Sequence, residues 1–315
     1  MSSSERRTFP LVPRRRLTGL PFGDLPSRRR GHGSEVIGSR LYEPGDPVST
    51  IDWFASARLS AVHGGDEFVV RDRAADEAPR VAIVLDRRPA MGLYPSPLPW
   101  LEKREAQRQA AIAIAASAAA ARADVAALDF AGGDAWWLPP GRRDSPWLVA
   151  ERAGEASFDA PEDTIARSFR FLEQRRTDMP GGTFLFVLSD FLAALPVDDW
   201  MGAVGHGWDV VPVVIQDPVW ERSWPEIGGV GVPVSDPRGD HVELVRLSRR
   251  QATRRRSEHE ARYAALLAEL ESLGLRPVEL GASDPASVDG TGPGKAAPFG
   301  YFGVPPDGVG LAVPA

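Results

Sequence analysis

Two short runs constrain this chain more than anything else in it: "VAIVLD" (81–86) and "FLFVLSD" (184–190). Each is a continuous apolar stretch of strand length that ends in Asp. A strand without polar alternation has both faces buried, which is the pattern of a parallel sheet covered by helices on two sides. The surrounding segments fit. The spacing predicts a helix over 100–122, polar in its first turns and apolar all round afterwards through "AAIAIAASAAAA". A helix with no polar face belongs inside, and its alanines allow it to lie close to a sheet.

Further strands are predicted at 67–73, 124–130, 135–140, 208–218, 229–237, 241–247 and 275–280, with helices near 161–176 and 198–204. Ser248 is placed to cap a last long helix that Gly274 ends. Within it Ala252, His259, Tyr263, Leu266, Leu267, Leu270 and Leu273 recur at helical spacing, so one face is core. The fold class expected is α/β: a doubly wound, mostly parallel sheet of Rossmann type, with a small N-terminal β-rich subdomain. In such sheets ligands bind beyond the carboxyl ends of the strands where the winding reverses. Asp86 and Asp190 therefore mark the place to look.

The two ends read differently. Residues 1–30 carry eight Arg against Glu5 and Asp24, a local charge of +6 in a chain whose total is −6. They show no periodicity and are expected to be a flexible arm. Residues 282–315 are rich in Gly and Pro and are also expected to be unordered. The expected organisation is an Arg-rich arm (1–30), a motif-bearing subdomain (31–78), a sheet domain (79–281) and a tail (282–315).

The chain has no cysteine, which excludes disulfides, thiolate metal sites and a Cys nucleophile. Its five histidines (32, 63, 206, 241 and 259) show no ligand spacing, and "SEHE" (257–260) lacks the i, i+4 His pair of a zinc helix. Ser189 has no His placed to activate it. "GGVGVPVSDPRGD" lacks the lysine and helix of a phosphate loop. The most apolar long run is too short and too Ala-rich to span a bilayer, and the Arg-rich start lacks the apolar stretch of a secretory leader. The expectation is a cytoplasmic protein.

A second dense segment precedes the sheet: "GHGSEVIGSRLYEPGDPVSTIDWFASARLSAVHGGDEFVVRD" (31–72). Pro44-Gly45-Asp46-Pro47 is a turn by composition. The reading is that Asp46 or Asp52 pairs with Arg58 and that Trp53 anchors the segment on the sheet domain. A metal-binding carboxylate cluster and a partner-docking surface are the alternatives.

These residues carry a resemblance. "RLYEPGD…IDWFASAR" followed by "VAIVLDxxxxM" resembles the bacterial family called domain of unknown function 58. The matching positions are Arg40, Tyr42, Pro44, Gly45, Asp46, Ile51, Asp52, Trp53, Ala57 and Arg58. The resemblance is strong over 31–92, looser to about residue 245, and does not reach the two ends. It implies a von Willebrand factor A-like domain, whose top edge often holds a divalent ion on an Asp-x-Ser-x-Ser loop and a distal Asp. It also implies association with MoxR-type AAA+ ATPases, in an adaptor or assembly role, and some relatives carry transmembrane helices.

Laid on that ion-site pattern, Asp86 matches the first Asp and Asp190 the distal one, but the serine positions are Arg88 and Ala90. Ala90 offers no side-chain ligand, whereas a hard cation such as Mg²⁺ wants near-octahedral oxygen. Arg88 opposes an ion outright. Unit charges about 4 Å apart interact by about 4 kcal/mol at an effective dielectric of about 20, and a divalent ion doubles that. Arg88, or Arg87, is expected to stand in for the ion on Asp86 or Asp190, a degenerate metal-ion-dependent adhesion site.

The reading is a non-catalytic adaptor with no cofactor, working with a MoxR-type AAA+ ATPase and with membrane-anchored von Willebrand factor A-like proteins. Asp86, Arg87, Arg88, Ala90, Met91 and Asp190 would form the partner-facing edge. Tyr42, Gly45, Asp46, Ile51, Asp52, Trp53 and Arg58 would fix the subdomains together. A metal-dependent hydrolase using Asp86, Asp190 and Asp46 or Asp52 is the alternative. Nucleic-acid binding through the Arg-rich arm is a third reading.

Overall fold

The computed structural model describes residues 8–9, 11, 36–43, 46, 48–63, 67–73, 80–93, 102–193, 196–225, 227–229, 231–235 and 242–281. They fall into two compact units, residues 17–78 and the remainder.

In the smaller unit β1 (Val36–Leu41) pairs antiparallel with β2 (Val69–Arg73), and α1 (Trp53–His63) lies between them in sequence. The sequence led us to expect a β-rich unit, and α1 is the departure. Its sequence carries no clear apolar stripe, so periodicity gave no signal. What starts it is Asp52, whose Oδ1 accepts the backbone N–H groups of Phe54 (3.2 Å) and Ala55 (3.1 Å).

The larger unit opens with β3 (Arg80–Leu85), followed by α2 (Lys103–Ala120), β4 (Asp124–Asp129), β5 (Trp136–Leu138), α3 (Ser145–Glu155) and α4 (Thr164–Glu173). Then come β6 (Phe184–Ser189), α5 (Val197–Gly205), β7 (Asp209–Ile215), β8 (Gly231–Ser235), β9 (Val242–Arg246), α6 (Arg249–Ser272) and β10 (Val278–Leu280). Six strands form one sheet in the order β10-β7-β6-β3-β4-β5, parallel except for the antiparallel edge strand β5. This is the expected α/β fold. The strands expected at 229–237 and 241–247 stay out of that sheet and form a separate antiparallel ribbon, β8 with β9. The helix α3 was not anticipated.

Alternate residues along the strands feed two cores. Val81, Ile83 and Leu85 of β3 face a core shared with Ala106, Ala110 and Ile114 of α2 and Val149 of α3. Ala82 and Val84 face the other, with Phe169 of α4, Trp200 of α5 and Leu266 and Leu270 of α6. Both faces of the sheet are thus covered, which is why its central strands carry no polar alternation.

Small side chains let α2 touch β3, β4, β6 and β7, and it is buried at Ala106, Ala110, Ala111, Ala115 and Ala118. On the first core also sit Phe9 and Leu11, and the Phe9 N–H donates to Ser117 Oγ of α2 at 3.0 Å. Within the stretch expected to be a flexible arm, these two residues are therefore seated. Apart from Thr8, the rest of the arm lies outside the described residues, as does the tail over 282–315.

At α6 the expected cap is present as a capping box: Ser248 Oγ accepts from Gln251 N, and the Gln251 side chain accepts the Ser248 N–H at 2.9 Å. Gly274 follows the helix with φ of +72°, a conformation that a Cβ disfavours.

Winding reverses between β3 and β6. From β3 the chain crosses to β4 on one side and later returns to β6 on the other. Phe186, fully buried in the middle of β6, sits at the centre of this arrangement. Phe186→Ala is expected to lower the unfolding free energy by about 3–5 kcal/mol. Urea denaturation followed by circular dichroism measures it, and a loss below about 1 kcal/mol would contradict the assigned core.

Candidate functional site

The parallel register pairs Leu85 of β3 with Leu188 of β6, so the residues that follow these strands emerge side by side. Asp86 N–H donates to Leu188 O at 3.1 Å, the last rung before the strands part. Asp86 and Asp190 thereby reach the same spot at the carboxyl edge, both fully buried. The chain then bends, because Arg88 N–H donates to Asp86 Oδ1 at 3.0 Å.

That bend carries the Arg88 guanidinium back over the carboxylates. Its Nε lies 3.0 Å from both Asp86 oxygens, and its Nη2 is 2.5 Å from Asp86 Oδ2 and 3.0 Å from Asp190 Oδ1. Ser189 Oγ accepts from the same Nη2 at 3.2 Å and donates to Asp86 Oδ2 at 2.6 Å. Phe191 follows with φ of +49°, a strained value for a non-glycine residue. Its N–H donates to Ser189 Oγ at 3.0 Å, tying the turn to the same group. Arg88 is only 3% exposed.

A second cation completes the arrangement. Lys103, the first residue of α2, donates to Asp190 Oδ2 at 2.8 Å and to Glu221 Oε1 at 2.7 Å. One turn along, Gln107 Nε2 donates to Asp86 O (2.8 Å) and Leu188 O (3.2 Å), and Gln216 Nε2 donates to Asp190 O at 2.6 Å. Glu221 is held by Asp217 N–H on Oε2 at 2.8 Å, and its carbonyl accepts from Arg262 of α6 at 2.6 Å. Two buried cations thus interleave with three buried carboxylates.

Burial opposes the charges of Arg88, Lys103, Asp190 and Glu221, and for all but Glu221 the partners outweigh it. For Arg88, burial is outweighed by Asp86 and Asp190, and its pKa is raised. Burial likewise opposes Lys103, but Asp190 and Glu221 raise it. Asp190 would be pushed up by burial, yet Lys103 and Arg88 bring it below the usual carboxylate range. Glu221 goes the other way: burial raises it, and Lys103 offsets only part. Asp190 therefore contributes stability above its unfolded pKa that is lost as pH falls through its folded value, while Glu221 contributes in the opposite sense.

Of the two arginines weighed from the sequence, Arg88 is the one that reaches the carboxylates. Arg87 points away, donating from Nη2 to Arg152 O at 3.1 Å. The expected partner-facing edge needs correcting. Asp86, Arg87, Arg88, Met91 and Asp190 are all buried, and Met91 packs in the first core, so of the six only Ala90 has appreciable exposure. A doubly wound sheet brings these residues to its edge, but ion pairing and packing turn them inward. The network comes to the surface at Glu162, whose side chain is 55% exposed and lies 3.8 Å from Arg88 Nη1. Sequence reasoning missed Lys103, Gln107 and Glu221. A signal existed: Lys103 and Gln107 stand one helical turn apart beside Ala106, Ala110 and Ala111, polar groups on a face meant for the sheet. "SEHE" has a structural role at His259, whose Nδ1 lies 2.9 Å from Ser223 O.

The motif residues of the smaller unit do other work than expected. Asp46 pairs with Arg40, not Arg58, through two contacts of 2.8 and 2.6 Å, and its Oδ2 accepts the Glu43 N–H. Asp52 caps α1, and Arg58 is exposed on that helix. Ile51 bridges to Val70, and Tyr42 N–H donates to Phe68 O at 2.8 Å. Trp53, expected to be an anchor, is 59% exposed and meets Phe68 edge-on at 6.0 Å. Gly45 lies outside the described residues.

Removing one member of a buried ion network strands the others. Lys103→Met is expected to cost about 3–5 kcal/mol, because Asp190 and Glu221 lose their shared cation. Adding Asp190→Asn and Glu221→Gln to that variant is expected to recover part of the loss. Urea denaturation of the single and triple variants checks both, and a neutral Lys103→Met would contradict the geometry.

The chain is 38% identical over 80 residues to the uncharacterized proteins Rv1480 of Mycobacterium tuberculosis and Mb1516 of Mycobacterium bovis, a match covering 25% of this chain and 23% of theirs. The match thus spans about a quarter of the length of those curated relatives. Among solved structures it is similar to an aerotolerance-related membrane protein from Bacteroides fragilis, with 15% identity and a TM-score of 0.38 over 62% of this chain and 99% of that one. A conserved hypothetical protein, BatB, from Bacteroides thetaiotaomicron gives 15% identity and a TM-score of 0.36 over 62% and 98%. The family model described as "Protein of unknown function DUF58" matches residues 38–265, spanning both the paired Asp46 turn and the carboxylate edge, and the chain belongs to that family.

Proposed function

We propose that this protein is a non-catalytic interaction module, an adaptor or assembly factor whose sheet edge is a degenerate metal-ion-dependent adhesion site. The observation that carries the reading is the Arg88 guanidinium, bonded to Asp86 and Asp190 at once. The donor set does not suit a divalent ion. Ala90 has no side-chain ligand, and the oxygens such an ion would need already accept from Arg88 and Lys103. The same saturation works against a hydrolase. Asp86, Asp190 and Glu221 do converge, but as acceptors of cation hydrogen bonds, with no free carboxylate among them to activate water. Asp46 and Asp52, the other carboxylates considered for that role, hold a turn and a helix start.

An ion-dependent edge switches with metal occupancy, whereas a covalently attached guanidinium is always present. The edge of this protein is therefore a permanently set surface, read by its partner without an ion. The partner class is a MoxR-type AAA+ ATPase, as the family resemblance implies, in the cytoplasm. No helix among the described residues is long and apolar enough to cross a membrane. Membrane-anchored von Willebrand factor A-like proteins are the second partner class.

The test uses the full chain as bait for a purified MoxR-type ATPase from the same host, with binding followed by interferometry. Wild type is expected to bind, and Glu162→Arg, on the exposed rim of the network, to weaken binding by about tenfold. Absence of binding, or a hydrolase activity abolished by Asp86→Asn, would overturn the reading.

A further inference from the structure

Arg87 is a buried cation that the carboxylate network does not use. It is fully buried, and its backbone is fixed by Ala160 N–H, which donates to Arg87 O at 3.0 Å. Its guanidinium makes one hydrogen bond among the described residues, from Nη2 to Arg152 O. Among the described residues, Nε and Nη1 have no acceptor. A guanidinium carries five N–H donors and stays charged, so leaving most of them unpaired in the interior is costly.

The carboxylate that most favours the Arg87 charge is engaged elsewhere: Asp129 accepts from Arg152 Nε at 2.7 Å and Nη2 at 2.6 Å. Above Arg87 lies the Phe158 ring, with its centroid 4.9 Å from the guanidinium carbon. Arg104, exposed at the start of α2, lies 5.8 Å from the same ring and donates to Gly154 O at 3.2 Å. Phe158 packs down on Gly92, where an added Cβ would come within 3.2 Å of Phe158 Cβ. Three guanidiniums therefore gather around residues 152–158, and the carboxylates whose charge favours Arg87, Asp129 and Asp86, are both already bonded to other arginines.

We propose that Arg87 forms the floor of a site for a small free oxyanion, a phosphate or a carboxylate, closed by the Phe158 ring and drawn in by Arg104 at the rim. Oxygen acceptors would pair the idle Nε and Nη1 donors and supply the missing negative charge, which water would not. Burial, followed by the nearby charges of Arg152 and Arg104, lowers the Arg87 pKa to about 10 despite Asp129 and Asp86, in keeping with a cation short of counter-charge. The site is separate from the Arg88 network and does not depend on the adaptor reading.

Isothermal titration calorimetry of the full chain at constant ionic strength tests it, with inorganic phosphate in one arm, acetate in a second and chloride as control. Saturable heat is expected with phosphate or acetate and none with chloride, the stronger of the two identifying the oxyanion. Arg87→Gln is expected to weaken binding by about tenfold or more, as loss of charged hydrogen bonds does. Because that buried substitution tests folding as well, Arg104→Gln, on an exposed helical turn, supplies the second variant, with a loss of about threefold. No saturable binding by wild type, or undiminished affinity in Arg104→Gln, would overturn the proposal.

Discussion

Two carboxylates brought together without water must share a cation, and in this protein the cation is part of the chain. Asp86 and Asp190 arrive at one point because β3 and β6 are adjacent parallel strands that end together. Their separation in sequence is irrelevant to their repulsion once both are buried. Arg88 answers Asp86 and one oxygen of Asp190, and Lys103 answers the other oxygen and passes on to Glu221. The start of α2, the loop at 217–221 and the turns after β3 and β6 are all positioned by this single requirement. A buried ion network of this kind is a poor source of net stability compared with a well-packed apolar core. Its value lies in specifying one arrangement of these three loops and the start of α2.

That arrangement bears on function. A guanidinium fork offers planar, directional donors to carboxylates, while a divalent ion needs a shell of oxygens and exchanges with solvent. Replacing one by the other removes a degree of freedom. In the proposed reading, an edge organised by Arg88 keeps its shape whatever the metal concentration, which suits constitutive recognition. The buried side chains organise the edge, and the exposed groups above them, Glu162 foremost, present it. In the interaction role proposed above, that rim is the part a partner would read, and the buried charges hold it in one arrangement.

Much of this was legible in the residues themselves. The continuous apolar strands "VAIVLD" and "FLFVLSD" could only be central strands of a covered sheet, and their terminal Asp residues pointed to the switch point. The family resemblance, which puts Arg88 at a serine position of the ion-site pattern, pointed to a stand-in cation, with Arg87 as the alternative. Other features were hidden for physical reasons. Lys103 and Glu221 are far apart in sequence and meet only through tertiary packing, so no spacing rule links them. The helix α1 lacks an apolar stripe and starts from its Asp52 cap, and Asp46 meets Arg40 because reciprocal hydrogen bonds with Glu43 hold it beside the end of β1. In the ribbon β8 with β9, the apolar runs that looked like sheet strands pair with each other instead. Short strands reveal their existence in sequence but not their partners.

If the Arg88 guanidinium occupies the place of a divalent ion, Asp86 and Asp190 have no site left for one. Mn²⁺ titrated into the wild-type protein and followed by electron paramagnetic resonance is then expected to give the spectrum of the free aqueous ion throughout. Saturable loss of that signal, abolished by Asp86→Asn, would contradict it.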